Sequence, residues 1–208
     1  FDLFWHGLLT TFLYTIGSIG FGIVIGLVTA FARLSKWRLL RGAARTYQEV
    51  FRCTPLLVQI RWAYYALPML LGFSIPNWIA GLATLSLYVG SFYGEIFRGG
   101  INAIDKGQRE AAMAVGMSGG QAMRHIIMPQ AVKKMLPAFI NQSVIQVKNT
   151  SLLYAISIAE LTYMTYIVNS ETYRPLESYS IAAIMYFAML FPLTQFADYF
   201  ERRMRRSD

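Results

Sequence analysis

The sequence predicts an all-α, polytopic membrane protein with five crossings, and three observations lead there. Hydrophobic residues make up 55% of the 208 and charged residues 14%, with a mean hydropathy of +0.40, more apolar than ordinary globular usage. The apolar residues gather into runs that can cross a bilayer, which takes about 20 mainly apolar residues. The basic residues collect between alternate runs, as they do in cytoplasmic loops.

The first run, Leu8 to Ala32, has Ser18, Gly22, Gly26 and Ala30 every fourth residue, so small side chains line one helix face. Such a face lets a second helix approach closely, within the chain or in another copy. The chain opens on Phe1, so an initiator region is expected to precede it. Asp2 precedes the run and a basic cluster follows it, the reverse of a secretory signal, so the run is expected to persist as a span.

Between Lys36 and Arg52 basic residues alternate with Trp37, Leu39, Leu40, Ala43, Tyr47 and Val50, which suits a helix lying in the interface. It leads into the second span, Pro55 to Phe73, which carries Arg61. Pro55 fits a first helical turn, where its missing N–H has no partner anyway. A short external turn follows, with Gly72, Ser74, Pro76 and Asn77, and Trp78 as an interfacial aromatic.

The third span, Trp78 to Phe97, carries Glu95. Residues 99–135 then form the largest polar stretch, too small to bury a core of its own. The apolar segment from Leu136 to Val168 is too long for one upright crossing and holds Lys148, Asn149, Thr150 and Ser151. It reads as a span ending near Ala155 and a second, outer helical piece. Tyr179 to Phe200 is the last span. No internal repeat, low-complexity tract or linker divides the chain, so residues 1–208 read as one membrane domain.

The charges test this order. With the N-terminus outside, one cytoplasmic side holds Arg33, Lys36, Arg38, Arg41, Arg45 and Arg52, then Arg98, Lys106, Arg109, Arg124, Lys133 and Lys134, then Arg202, Arg203, Arg205 and Arg206. These are 16 of the 19 basic residues. The net charge of +8 therefore reads as topology, and no recognition motif points to nucleic acid. Cys53 is the single cysteine, which offers neither a disulfide nor a metal site. His6 and His125 are isolated, and no nucleophile, base and oxyanion set can be assembled from spacing, so enzyme chemistry is not indicated.

The most telling stretch runs from Glu110 to Pro129, EAAMAVGMSGGQAMRHIIMP. Glu110 is expected at the positive end of an Ala-rich helix, with Ala111, Ala112 and Ala114 favouring that helix. Gly116, Gly119 and Gly120 permit a turn, and Gln121 to Met128 form a second helix that Pro129 helps delimit. Ser118 to Gln121 spells SGGQ, like the signature of ABC ATPases. The chain lacks the G-x-x-x-x-G-K-[ST] phosphate loop, so the nucleotide reading is rejected.

The spacing of Glu110, Ala111, Ala112, Gly116, Ile126 and Pro129 resembles the EAA loop of ABC importer permeases, with Met128 in place of the usual Leu. Three further stretches resemble the polar amino acid permeases of that superfamily: RCTPLLVQ at Arg52 to Gln59, GEIFRGGINAIDKGQREAA at Gly94 to Ala112, and VKNTSLLYAISIAEL at Val147 to Leu161. Cys53 stands where Gly or Ser is usual, and Asn149 where Asp is common. The resemblance implies a MetI-like, type I importer transmembrane domain. It implies a second permease subunit, the same or homologous, ABC ATPase subunits that carry the ATP and magnesium, and a periplasmic or extracellular binding protein. This chain is expected to hold no cofactor, and to sit in the bacterial cytoplasmic (inner) membrane with its C-terminus in the cytoplasm. Glu110, Ala111, Ala112, Gly116, Ser118, Gly119 and Pro129 would couple it to the ATPase.

A charge at mid-membrane costs about 2.5 to 3.5 kcal/mol on insertion scales, so intramembrane polar residues are functional candidates. Lys148, Asn149, Thr150, Ser151, Glu160, Glu95 and Arg61 are the substrate-binding candidates. Where a helix is interrupted, side chains and freed backbone groups can meet a zwitterion. Lys148 suits a carboxylate and Glu160 an ammonium. The competing reading pairs Lys148 with Glu95 or Glu160 simply to neutralise charge. The rival classes are a secondary transporter or channel and a membrane scaffold, and the lack of an inverted repeat disfavours the commonest secondary transporters.

Overall fold

The computed structural model describes residues 2–205, with side chains through Tyr199. Arg206 and the side chains of Arg202, Arg203 and Arg205, counted above in a basic tail, lie outside the described residues. All regular structure described is helical. In chain order it comprises α1 (Asp2–Leu34), α2 (Arg38–Cys53), α3 (Leu56–Arg61), α4 (Leu67–Leu71), α5 (Asn77–Asn102), α6 (Lys106–Ala114), α7 (Gly119–Ala122), α8 (Met128–Asn149), α9 (Leu161–Thr172) and α10 (Pro175–Arg205). By length and hydropathy α1 and α10 qualify as spans, as does the pair Gly119–Ile156 and Leu161–Thr172 if its 49° bend is counted within one span. The five-crossing reading would also need α5 and the shorter apolar helix Leu56–Leu71 to cross, neither of which qualifies by length and hydropathy.

The centre of the molecule is α1 lying parallel to α5 with their backbones close together. A Cβ on Gly26 would stand 2.6 Å from Tyr93 Cβ, and one on Gly90 would stand 2.7 Å from Ile25 Cγ2. A Cβ on Gly22 would collide with Val89. The small-residue stripe of α1 is therefore consumed inside the chain, one of the two uses open to it. Hydroxyls on both helices bond their own backbones, as Thr29 to Ile25 O at 2.6 Å and Thr84 to Ala80 O at 2.7 Å. Polar side chains thus stay satisfied at a dry interface.

Helix α8 runs antiparallel to α5. Gly100 faces Met135, Tyr93 Oη meets Ser143 Oγ at 2.8 Å, and Gln146 reaches Leu85 O. A 3-10 turn over Thr150–Ile156 closes that end, with Asn77 Nδ2 donating to Ile156 O at 3.3 Å. Leu56, Ile60, Leu85, Leu153, Ile156 and Ile158 form the apolar core beneath it. Ser157 adopts φ 57 and ends the turn, and α9 restarts at the level of Thr11. The predicted break near Ala155, followed by a second helical piece, is the arrangement found.

The amphipathic segment is helix α2. It docks on α5 through Gln48, whose Nε2 donates to Ser91 O at 3.4 Å, and Tyr47, whose hydroxyl donates to Leu87 O at 2.5 Å. Its apolar Trp37 and Leu39 are exposed. Pro55 caps α3 from outside the helix, with φ −59 and ψ 130, so it marks a corner and does not fill the first turn.

Two π-helical turns were not foreseen. Trp62–Ala66 joins α3 to α4, and Met123–Ile127 joins α7 to α8. In each, a bond spans five residues, from Leu67 N–H to Trp62 O and from Met128 N–H to Met123 O. A proline follows at once, Pro68 and Pro129. A proline ring clashes with the carbonyl four residues back, and a wider turn moves that carbonyl aside without ending the helix. Pro129 therefore does not delimit a helix as expected. Gly119–Ile156 continues through it.

Candidate functional site

Two regions hold the residues singled out by sequence. The first is the polar bend. Its helix α6 begins earlier than expected: Asp105 is the N-cap and accepts from Gly107 N–H at 2.6 Å. Glu110 is consequently in the helix body, exposed, and the positive helix end is satisfied by Asp105. Ala112 is buried, while Ala111, Met113 and Val115 face out.

The end of α6 is a reciprocal pair of bonds. Met117 N–H reaches Ala112 O at 3.1 Å and Gly116 N–H reaches Met113 O at 3.0 Å, with Gly116 at φ +85. This is a Schellman ending, which favours glycine at the left-handed position. The next helix starts two residues later. Ser118 Oγ accepts from Gln121 N–H at 3.3 Å and Gln121 Oε1 accepts from Ser118 N–H at 2.8 Å, a capping box. The SGGQ stretch is thus a helix start. The returning rod is tied to α6 by Gln130 to Gln108 at 3.4 Å and to Ala103 O by Lys134 at 3.1 Å. Glu110, Ala111, Gly116, Ser118, Gly119 and Pro129 are all exposed on this element.

The second region is the interrupted end of α8. Lys148 is exposed, Asn149 and Ser151 are half-buried, and Thr150 is fully buried with its hydroxyl on Val147 O at 2.7 Å. Ser151 Oγ donates to Lys148 O at 2.7 Å. Among the described residues Lys148 and Arg61 make no ion pair, and both are exposed. An unpaired cation is stable there only where water or a counter-charge reaches it.

The carboxylates stand apart from this group. Glu160 is completely buried and caps α9, accepting from Thr162 N–H at 2.9 Å, Tyr163 N–H at 2.7 Å and Tyr186 Oη at 3.1 Å. Glu95 pairs with Arg98 on its own helix, and Arg52 lies near, over the Phe92 ring at 5.4 Å. Leu161, beside Glu160, meets α1 at Thr11, whereas Gly94, beside Glu95, meets it at Thr29. At 1.5 Å per helical residue these levels are roughly 27 Å apart. Neither carboxylate neutralises Lys148, and the seven polar candidates do not form one cluster.

Sequence reasoning missed Gln146. It is fully buried and joins three helices: its Nε2 donates to Ser18 Oγ at 3.1 Å and to Leu85 O at 3.3 Å, and its Oε1 accepts from Asn149 Nδ2 at 3.3 Å. The signal was a Gln three residues before an Asn in an apolar run. A cleft of about 280 Å³ between α1, α5 and α8 is lined by Ile23, Phe31, Phe97, Val132, Met135 and Phe139. It is apolar and lies away from the interrupted helix, so it does not suit a charged solute.

A family model described as the inner membrane component of binding-protein-dependent transport systems matches residues 22–206. The chain belongs to that family. It is 35% identical over 203 residues to the arginine transport system permease protein ArtQ of Bacillus subtilis (strain 168), covering 98% of this chain and 93% of the relative. It is 36% identical over 198 residues to the glutamine transport system permease protein GlnP of Escherichia coli (strain K12), covering 95% and 90%. Among solved structures, an amino acid ABC transporter with histidines superposes with a TM-score of 0.91 at 38% identity, over 97% of this chain and 94% of that one. An inward-facing MetNI methionine ABC transporter superposes with a TM-score of 0.80 at 19% identity, over 98% and 97%, which shows the shared fold. As an inner membrane component of this family, the chain is a permease subunit, and ATP hydrolysis belongs to a separate ATPase.

Proposed function

We propose that two subunits of this kind, identical or homologous, form the path of an importer that carries polar amino acids into the cytoplasm by alternating access. The observation that carries this reading is the bend at Gly116 to Ser118. It is capped on both sides by its own chain and shows Glu110, Ala111, Met113 and Val115 to solvent at the end of the bundle that holds Arg33 and Arg98. Such an element transmits force as a rigid contact. ATPase subunits, which hold ATP and magnesium, seat it through Glu110, Ala111, Gly116, Ser118, Gly119 and Pro129, whereas Ala112, expected among these contacts, is buried inside the element. Closure of the ATPase pair moves the bend, and the helices rock to face outward; hydrolysis reverses the motion.

A periplasmic or extracellular binding protein delivers the solute on the opposite side, where α9 and the external turn lie. The N-terminus is outside and the C-terminus in the cytoplasm of a bacterial inner membrane. Lys148 and Arg61 favour the solute carboxylate, and Asn149 and Ser151 its hydrogen-bonding groups. The cargo is inferred from the arginine and glutamine systems among the relatives.

The test is reconstitution of the permease with its ATPase and binding protein in liposomes, followed by uptake of labelled L-arginine and L-glutamine. Uptake of at least one is expected only with internal ATP and the binding protein together. Uptake driven by an ion gradient in the absence of the ATPase would establish a secondary transporter, and absence of uptake with intact partner recruitment would establish a scaffold.

A further inference from the structure

We propose that Gln146 is a positioning residue for solute recognition: it fixes the Asn149 amide so that Asn149 offers its carbonyl oxygen to the ammonium group of the transported amino acid. This rests on the reading above that the interrupted end of α8 faces the solute.

A primary amide has two N–H donors and one acceptor oxygen. Both donors of Gln146 are committed, one to Ser18 Oγ and one to the Leu85 carbonyl. The Ser18 hydroxyl donates to Thr15 O at 3.2 Å, so it receives from Gln146. Turning the amide over would set its oxygen against the Leu85 carbonyl, acceptor against acceptor, in a fully buried position. The orientation of Gln146 is therefore determined by α1 and α5, and its Oε1 faces Asn149.

That oxygen then sets the second amide. Asn149 turns its Nδ2 toward Gln146, which leaves its Oδ1 on the opposite edge of the amide group. Asn149 is half-buried beside the exposed Lys148, which makes no ion pair among the described residues, and Thr150 on its other side is closed off. A cation and an outward carbonyl oxygen on adjacent residues complement the carboxylate and the ammonium of one zwitterion. Carried by an unfixed side chain, the same amide would present donor and acceptor alternately and would discriminate poorly.

The experiment measures binding of labelled L-arginine and L-glutamine to the permease–ATPase complex in nanodiscs without the binding protein. Each is compared with its deamino analogue, which keeps the carboxylate and side chain but lacks the ammonium. The intact complex is expected to prefer the amino acid by about tenfold, the worth of one good hydrogen bond to a charged group. Asn149→Ala brings the ratio near one. Gln146→Leu lowers it to the same value, and the double variant lowers it no further. Affinity for the analogue itself stays within about twofold throughout, which a general loss of structure would not allow. Gln146→Met, which likewise removes the acceptor that holds the Asn149 amide, lowers the ratio as well and serves where Gln146→Leu fails to assemble. A full ratio in Gln146→Leu or Gln146→Met, with loss in Asn149→Ala, overturns the positioning role and leaves the solute site standing. An unchanged ratio in Asn149→Ala overturns both.

Discussion

Glycines with the same side chain do opposite things in this chain, and their substitutions should separate by sign. Gly26 lies under Tyr93, where a methyl group has no room, so Gly26→Ala should destabilise by about 1–3 kcal/mol through overpacking. Gly20 lies in the same helix with nothing within 4 Å of its missing Cβ. Gly20→Ala should stabilise by roughly 0.5–1 kcal/mol, through the lower entropy cost of ordering alanine. Gly116 also has open space but holds φ +85, so Gly116→Ala should cost on the order of 1–2 kcal/mol by forcing a left-handed conformation. Thermal unfolding of the purified complexes orders the three, and an equal response from Gly26 and Gly20 would contradict the packing described for α1 on α5. Which face of α1 is small was legible from its four-residue period. What that face meets was not, because periodicity fixes direction around one helix and says nothing of its neighbour. Glu110 was misplaced for a related reason: the helix start is set by Asp105, five residues upstream, and the run of alanines carries no sign of where its first turn lies.

Among the elements, the π turn before Pro129 offers the sharpest test. Pro129→Ala restores a backbone N–H and removes the ring that displaces the His125 carbonyl, so the segment can relax to a regular helix. That change rotates α7 and the bend relative to α8, by about the 100° that one residue occupies in a helix of 3.6 residues per turn. Folding and ATPase recruitment should survive, while transport per ATP hydrolysed should fall severalfold in liposomes. Undiminished coupling would show that the π turn sets no register. At the other end of the bend, Asp105→Ala should cost about 1 kcal/mol by uncapping α6, seen as earlier exchange of the amides at Gly107 and Gln108. The apolar runs and the break near Ala155 were readable because hydropathy and clustered polar residues report burial directly. The π turns were not readable, since proline alone marks an end or a kink, and the five-residue bond that rescues the helix depends on how both flanking rods are held.

For the whole molecule, the depth ladder along α5 fixes what must share a side. Gly100 with Met135 and Glu95 with Arg98 lie at one end, and Asn77 with Ile156 at the other. Labelling with a membrane-impermeant maleimide should modify the exposed Cys53 only in inverted vesicles. A Cys53→Ser, Tyr173→Cys protein should react only in intact spheroplasts, because Tyr173 is exposed at the end of α9. The reverse pattern would invert the topology. The charge count is the ground for the proposed orientation, yet it could not place Glu95 and Glu160 roughly 27 Å apart in depth, because both lie within or beside apolar runs and only their packing against α1 separates them. The bend at Gly116 has a bearing on how the assembled machine works. Its Schellman ending and its capping box already satisfy the amides that a loose loop would leave to solvent or a partner. Ordering a backbone residue costs roughly 1–2 kcal/mol, and here that ordering is complete before any ATPase arrives. In the coupling role proposed for the bend, association would proceed as a rigid fit at little entropic expense, and a stroke delivered at one end of the bend would arrive at α8 without being lost to slack.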